Sequence, residues 1–434
     1  MDDYLNIPSE DSSLYSSTDT EDDYESDTRY QIDSDDYESD THYWSSKPEF
    51  HDNFISSIMK VKRFIWLMGH IHINDNILEP SRNDENYDKL YKIRPFIDNI
   101  RSSCLKYFLP SEYQAIDEGM IRFKGRIGFR QYMPKKPTKR GFKVWMRCDN
   151  SGYMNDFNIY TGKNKEAESN LGYNIVTKFC EGLQNHKIFF DNYFTSYTLL
   201  SDLKKKGIYA TGTLNKNRRY LLIKNMETKL TRGEFDWRSD KNISIIKWRD
   251  NRDVFIMSNY IDPRSVDTVK RKNKKGEVFD VKCPMMIKIY DKFMGSVDHF
   301  DHLKSLYKIS RKWRKWWLPI FFWLIDAAII NSFIIYNILT DNKLSLKEFR
   351  RQIIASELAH CKNVDRDDNI ENDNNYTSMQ RKNNKPYILP EIRLKNSAHQ
   401  PQTGTSRRCA HCSTKLNPRR TRWSCKMQPT TMSN

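Results

Sequence analysis

Residues 188–206 read IFFDNYFTSYTLLSDLKKK. An apolar run, Ile188 to Phe190, has the length and make-up of a buried strand. Asp191 then opens DNYFTS, a polar turn. Tyr197 to Lys206 reads as a helix. YATGTL (209–214) is again strand-like. Strand, turn, helix and strand in that order describe an α/β protein. The pattern extends outward. GFKVWMRCD (141–149) reads as a strand and Leu171 to Leu183 as a helix. ISIIKWRD (243–250) and DVFIMSNY (253–260) read as the arms of a hairpin across a short polar turn. Residues 46–115 are expected to be mostly helical, with apolar sets at Ile55, Met59, Val61, Phe64, Ile65 and Met68 and at Ile93, Phe96, Ile97, Ile100 and Leu105. Residues 286–345 read as helix again.

The 434 residues are a length for two to three domains. The formal charge of +16 is unevenly spread. Residues 1–50 hold 16 Asp/Glu and 2 Lys/Arg; the rest therefore holds 70 basic and 40 acidic residues. A body of net +30 suits a polyanionic partner, nucleic acid above all. The acidic segment 1–45 repeats DDYESDT at 22–28 and 35–41 and is too polar to bury a core, so it is expected to be a disordered tail rather than a secretory signal. Residues 362–405 read by composition as a polar linker. Cys104, Cys148, Cys180, Cys283 and Cys361 sit singly, as thiols do in reduced proteins. The run from Trp316 to Leu339 is long enough to span a membrane. Asp326, Asn331 and Asn337 within it, with Pro319 near its start, make a buried core helix the better reading, and no membrane partner is expected.

Four acidic positions stand out. Asp117 lies in AIDEGMIRFKGR and Asp191 closes its strand; Asp298 and Asp301, in MGSVDHFDHL, share one face of a helix. Strand-end carboxylates with a helix carboxylate are what a paired-metal phosphoryl-transfer site uses, because each oxygen neutralises part of a divalent cation's charge. Mg²⁺, or Mn²⁺, suits an all-oxygen set. By position alone an aspartate at a strand end is usually a turn former or N-cap, and three widely separated aspartates carry no specificity by spacing. The basic signal is denser. Met120 to Cys148 carries ten Lys/Arg and no Asp/Glu, among them Arg122, Lys124, Arg126, Arg130, Lys135 and Lys136. Phe123, Phe129, Tyr132, Phe142 and Trp145 interleave with them. Lys and Arg neutralise phosphates, and aromatic faces stack on unpaired bases. A second cluster, with Lys308, Arg311, Lys312, Arg314 and Lys315, follows the Asp298/Asp301 helix. Both are read as DNA contacts. KRKNKK (270–275) fits a nuclear localisation signal and a charged loop equally. Cys409, Cys412 and the later Cys425 have metal-like spacing, but a closed zinc site takes four ligands, so a Zn²⁺ site and an incomplete remnant both remain open.

On these stretches the chain resembles the piggyBac transposase family. The matching segments are IDEGMIRFKGRIGFRQYMPKKPTKRGFKVWMRCDNSGYMNDFNIYTG (116–162), FFDNYFTSYTLLSDLKKKGIYATGTLNKNRR (189–219), IIKWRDNRDVFIMSN (245–259), IYDKFMGSVDHFDHLKSLYKISRKWRKWW (289–317) and FFWLIDAAIINSFIIYN (321–337). They stand in the family's order over about residues 50–340. The resemblance implies a ribonuclease H-like core in two parts, 116–215 and 286–345, interrupted by a β-rich insertion at 216–285. A helical dimerisation and DNA-binding region at 46–115 precedes it; a helix and linker, 346–405, and a cysteine-rich module, 406–434, follow. It implies a metal-dependent aspartate triad that cuts transposon ends and joins them to TTAA targets through hairpin intermediates. The triad falls on Asp117, Asp191 and Asp298, with Asp301 as a further acid the site needs; Asp149, though at a strand end, is not a member. Double-stranded DNA, a homodimer and a nuclear location follow from the same resemblance. The chain departs from the family at MGSVD, where Ser296 replaces a glycine, and at His302, where the family commonly has Gln. A domesticated or degenerate DNA-binding derivative without transposition activity is the alternative.

Overall fold

The computed structural model describes residues 42–162, 170–215, 226, 229–273, 275–309, 315–367, 401–408 and 420–425. Its contacts divide the chain into residues 1–354 and 355–434. The first unit is built on a nine-stranded sheet. Three strands start it: β1 (Tyr113–Arg122), β2 (Gln131–Tyr132) and β3 (Arg140–Asp149), with β4 (Met154–Ile159) after them. Next come β5 (Lys187–Phe190) and β6 (Tyr209–Thr213), then β7 (Phe235–Asp240), β8 (Ile243–Arg249) and β9 (Asp253–Ser258). The order across the sheet is β2-β3-β1-β5-β6-β9-β8-β7, with β4 beside β3. β1, β5 and β6 are parallel neighbours and the rest pair antiparallel. The sheet is mixed and flanked by helices on both faces, the α/β ribonuclease H-like core that the sequence leads one to expect. β8 and β9 form the hairpin read at 243–260. The stretch read as a β-rich insertion contributes β7 to β9 to this sheet through the β6–β9 pairing, and adds a separate ribbon of β10 (Val266–Lys272) and β11 (Val278–Pro284).

The helices follow from caps and apolar stripes. Before the sheet run α1 (Asn53–Ile58), α2 (Val61–His70) and α3 (Arg94–Tyr107). After β4 comes α4 (Leu171–Phe179) and after β5 α5 (Tyr197–Lys205). In α5 the Ser196 hydroxyl caps the N-terminus by accepting from Leu199 N at 3.2 Å; Leu199, Leu200 and Leu203 are buried; and Gly207, at φ 72°, ends it in a left-handed turn. Beyond β11 lie α6 (Met285–Phe293), α7 (Ser296–Leu306), α8 (Leu318–Leu339) and α9 (Leu346–Asp367). One sheet face packs on α3, α7 and α8, the other on α4 and α5. A third cluster joins α6 to β8, β9 and β11.

α8 is long and apolar enough to cross a membrane by length and composition. Its buried face carries Asp326 and Asn331, and both are satisfied inside the protein. Asn331 accepts from Met154 N at 2.9 Å, donates to Met154 O at 2.9 Å and reaches Cys104 Sγ at 3.2 Å. One side chain thus fastens the helix to β4 and α3, which is the behaviour of a core helix. Cys104, Cys148, Cys180 and Cys283 are buried thiols. Within the second unit β12 (Pro401–Arg408) pairs antiparallel with β13 (Arg420–Cys425). The acidic repeat, most of the polar linker, and Cys409 and Cys412 lie outside the described residues, as do the side-chain surroundings of Cys425.

Candidate active site

Asp117 sits in the middle of β1. Directly opposed residues of an antiparallel pair share a face, and Asp117 opposes Met146 while Gly119 opposes Val144. That face is the one under α7 and α8. The Asp117 carboxylate accepts from Glu118 N at 2.7 Å and is in no ion pair among the described residues. Burial pushes its carboxyl well above the usual carboxylate range; the Lys136 charge opposes that, and the charges of Glu118 and Asp191 add to it.

β1 and β5 run parallel with Ile116 opposite Phe190, so Asp191 follows its strand at the level of Asp117. Its turn is built locally. Asp191 Oδ1 accepts from Tyr193 N at 2.9 Å, an Asx-type turn. The Thr195 hydroxyl donates to the Asp191 carbonyl oxygen at 2.8 Å. Thr195 is fully buried because Gly212 of β6 leaves it room: a Cβ at Gly212 would stand 2.2 Å from Thr195 Oγ1 and 2.7 Å from the Phe190 ring. Burial, followed by the Glu118 charge, raises the Asp191 carboxyl to about 6.

α7 brings the other two acids. Asp298 is in its first turn, where a carboxylate is favoured by the helix dipole. Partial burial raises its pKa, opposed by Lys136 and assisted by Asp301 and Glu118. Asp301 accepts from Lys304 at 2.7 Å. It lies against β1 at Gly119, where a Cβ would meet Asp301 Oδ2 at 3.2 Å and the Met146 methyl at 2.5 Å. The glycine of IDEG lets the helix come that close. The two strand aspartates and the helix pair therefore share one region and one electrostatic field.

Two residues of this region escape a reading of the sequence. Glu118 points to the face opposite Asp117, and Lys143 shares that face. Glu118 pairs with Lys136 at 3.3 Å and Lys143 at 3.9 Å, and Lys136 also donates to the Glu118 carbonyl at 3.0 Å. The Lys143 ammonium lies 4.8 Å from the Tyr193 ring centre. Its place beside Asp117 is the only signal the sequence carries for Glu118.

The expected DNA contacts divide. Arg122, Lys124, Arg126, Lys135 and Lys308 are exposed. Arg130 turns inward, donating to the carbonyls of Lys124 and Gly125 at 3.0 and 2.5 Å. Lys315 donates to Gly69 O at 2.8 Å, and Lys136 is drawn into the acid cluster. Arg311, Lys312 and Arg314 lie outside the described residues. The interleaved aromatics require a correction. Phe123, Phe129, Phe142 and Trp145 are buried and cannot stack on bases. β3 is covered on both faces, so alternation hides its side chains either way. Only Tyr132 of the five is exposed, at 54%, with the Arg140 guanidinium 5.0 Å from its ring centre. Asp149 is a turn former: buried, it accepts from Ser151 N at 2.9 Å, the Ser151 hydroxyl at 2.5 Å and Tyr153 N at 3.3 Å.

Among the described residues no three Asp, Glu, His or Cys side chains converge as a preformed metal cage. The donor set nonetheless fits a hard divalent cation. Its oxygens belong to carboxylates, and Asp117, Asp191 and Asp298 are in no ion pair among the described residues, while Asp301 is paired with Lys304. Other aspartates are neutralised by arginines: Asp88 by Arg94, Asp156 by Arg101, Asp326 by Arg350.

The mixed sheet with helices on both faces is the fold of ribonuclease H-like transposases, and the family comparison agrees. A family profile described as Transposase IS4 matches residues 32–333. Human PiggyBac transposable element-derived protein 3 is 32% identical over 330 residues, 73% of this chain and 54% of the relative. Human PiggyBac transposable element-derived protein 2 is 30% identical over 325 residues, 71% and 54% respectively. A cryo-EM structure of a piggyBac transposase synaptic complex with hairpin DNA superposes with a TM-score of 0.61 at 23% identity, covering 87% of this chain and 78% of that one. The chain belongs to the piggyBac transposase family. It spans about half the length of the curated relatives it matches.

Proposed function

We propose that the protein is a DNA strand-transferase of the piggyBac type, cutting transposon ends and joining them to TTAA targets. The observation that carries this is the gathering of Asp117, Asp191 and Asp298 from β1, the β5 turn and α7, with Asp301 against Gly119. These carboxylates would hold Mg²⁺ or Mn²⁺. Bound there, the ions supply positive charge to the attacking and leaving oxygens of a phosphodiester. The chain's own part is positional. The Thr195 hydroxyl on the Asp191 carbonyl holds the turn, Tyr193 N donates to the Asp191 carboxylate, and Gly119 sets the distance of α7 from β1. Exposed Arg122 at the end of β1, Lys124 and Arg126 just beyond it, and Lys308 after α7 offer charge to DNA phosphates flanking the centre. The solved relative is a synaptic complex holding hairpin DNA, which supports a duplex partner here. We further propose that the protein acts in the nucleus and as a homodimer, and that Zn²⁺ at Cys409, Cys412 and Cys425 is accessory.

The test is cleavage of duplexes carrying the flanking inverted repeats and a TTAA border, with Mg²⁺ or Mn²⁺ and the Asp191→Ala variant as control. Nicks or hairpins at the border, absent in the variant, support the proposal. Binding without cleavage by both proteins replaces it with a domesticated DNA-binding role.

A further inference from the structure

Lys136 is placed unlike the other cations of its loop. The segment Met133 to Lys139 folds back on itself, Met133 N donating to Lys139 O at 2.8 Å and Lys136 N to Met133 O at 3.2 Å. Pro134 and Pro137 bracket Lys135 and Lys136 and restrict the backbone there. From this stiff turn Lys136 reaches inward and keeps only 29% of its side chain exposed. Ordering a lysine and removing it from water is unfavourable unless charge compensates. Glu118 compensates in part, with its carbonyl at 3.0 Å and its carboxylate at 3.3 Å. But Glu118 serves two ammoniums, since Lys143 stands 3.9 Å from its other oxygen. One carboxylate against two ammoniums leaves a surplus of one positive charge. Beside it lie Asp117, which precedes Glu118 in the strand, and Asp191, whose turn residue Tyr193 lies under the Lys143 ammonium. Neither aspartate is in an ion pair of its own among the described residues.

We propose that Lys136, seated on Glu118, is a positioning residue of the carboxylate centre: its ammonium is the standing counter-charge to Asp117, and a divalent cation entering the centre competes with it. The Lys136 charge is the foremost one acting on Asp117 and on Asp298, and a lesser one at Asp191. Lysine is suited to this role because its flexible stem lets the ammonium withdraw from the entering ion while Glu118 retains it near the site. The inference rests on the centre taking a divalent cation, as proposed above.

The experiment is calorimetric titration of the full chain with Mn²⁺ alone, without DNA. Lys136→Met is expected to tighten Mn²⁺ binding about tenfold, the scale of removing one unit charge near a divalent ion in a partly hydrated site. Glu118→Gln is expected to weaken it by about as much. Lys136→Arg stays near wild type, and the Lys136→Met/Glu118→Gln double variant returns toward it. A lysine that merely braced its loop would lower the melting temperature on substitution and leave Mn²⁺ affinity unmoved or lower. Unchanged or weaker Mn²⁺ binding by a Lys136→Met protein that melts like wild type overturns the inference. Asp191→Ala separates the two levels. If it abolishes Mn²⁺ binding while Lys136→Met has no effect, the lysine's role alone falls. If wild type and Asp191→Ala bind Mn²⁺ equally, or neither binds it, the cation reading of the centre falls and the inference with it.

Discussion

Asp326 of α8 accepts from the Arg350 guanidinium at 2.7 Å, the aspartate side chain buried and the arginine largely so. The same aspartate accepts from Ile309 N at 3.2 Å. Asp117, Asp191 and Asp298 have no such cationic partner among the described residues, whereas Asp301 is paired with Lys304; the difference separates structural from functional aspartates by their stability. Asp326→Ala strands a largely buried arginine and an amide, and should cost about 3–5 kcal/mol. Asp298→Ala removes no hydrogen bond or ion pair seen among the described residues, and Asp117→Asn removes a desolvated charge. Both should melt at or above the wild-type temperature while losing cleavage of transposon-end duplexes by about 10³-fold or more. Thermal melts beside a cleavage assay decide this; a melting loss in Asp117→Asn as large as that in Asp326→Ala would make Asp117 a structural residue.

The Asp191 carboxyl, raised to about 6, ties stability to pH. Its ordinary value, and so its value in the unfolded chain, is about 3.9. Between those limits the folded protein holds a proton that the unfolded chain has lost. The stability this lends is complete below about pH 4 and disappears as pH rises through about 6, on the order of 2 kcal/mol once residual solvent contact is allowed for. Asp117 is also raised, and repulsion between the two carboxylates spreads their proton losses over a wider pH range. In chelator-treated protein, denaturant midpoints from pH 4 to 7 should show this decline, and Asp191→Asn should flatten it. Mn²⁺ affinity should move the opposite way, rising with pH as the carboxylates lose their protons.

What the sequence discloses depends on how local each feature is. The strand–turn–helix at 188–206 is legible because its signals are its own: an apolar run, a polar turn opened by Asp191, and apolar residues at helical spacing from Tyr197. Asp149 ends a strand as Asp191 nearly does, and composition cannot tell them apart. The difference is that Asp149 is buried and spends its carboxylate on Ser151 and Tyr153, whereas Asp191 keeps part of its own exposed. The aromatics of the basic segment mislead for a related reason. Interleaving with arginine and lysine looks like a stacking surface until the sheet is known to be covered on both faces. Glu118 is beyond reach, because its partners come from a loop and a neighbouring strand brought together only by the β1–β3 register.

The turn at Asp191 can be disturbed without touching an acid. Thr195→Val keeps the shape and removes the hydroxyl that holds the Asp191 carbonyl. It should cost about 1 kcal/mol of stability and lower cleavage disproportionately, because the carboxylate loses its fixed position. Gly212→Ala acts on the same contact from β6 and, with its Cβ 2.2 Å from Thr195 Oγ1, should destabilise by about 1–3 kcal/mol. Cleavage that falls only as far as the folded fraction in Thr195→Val would remove the turn from the site's machinery.

The cations of the basic segment should also part into two groups when DNA affinity is measured against salt. Arg122, Lys124 and Arg126 are exposed, whereas Arg130 spends its guanidinium on the carbonyls of Lys124 and Gly125. A phosphate contact contributes about 0.9 to the slope of log affinity against log salt for duplex DNA, whatever the base sequence. Lys124→Ala and Arg126→Ala should therefore each weaken binding and reduce that slope by about 0.9, with unchanged melting. Arg130→Ala should instead lower the melting temperature by loosening the 124–130 turn, and reduce affinity through the displacement of its neighbours. Fluorescence anisotropy with a labelled duplex across a series of salt concentrations resolves the two behaviours. A full unit lost from the slope in Arg130→Ala, with melting unchanged, would show that its guanidinium leaves the turn carbonyls for a phosphate when DNA binds.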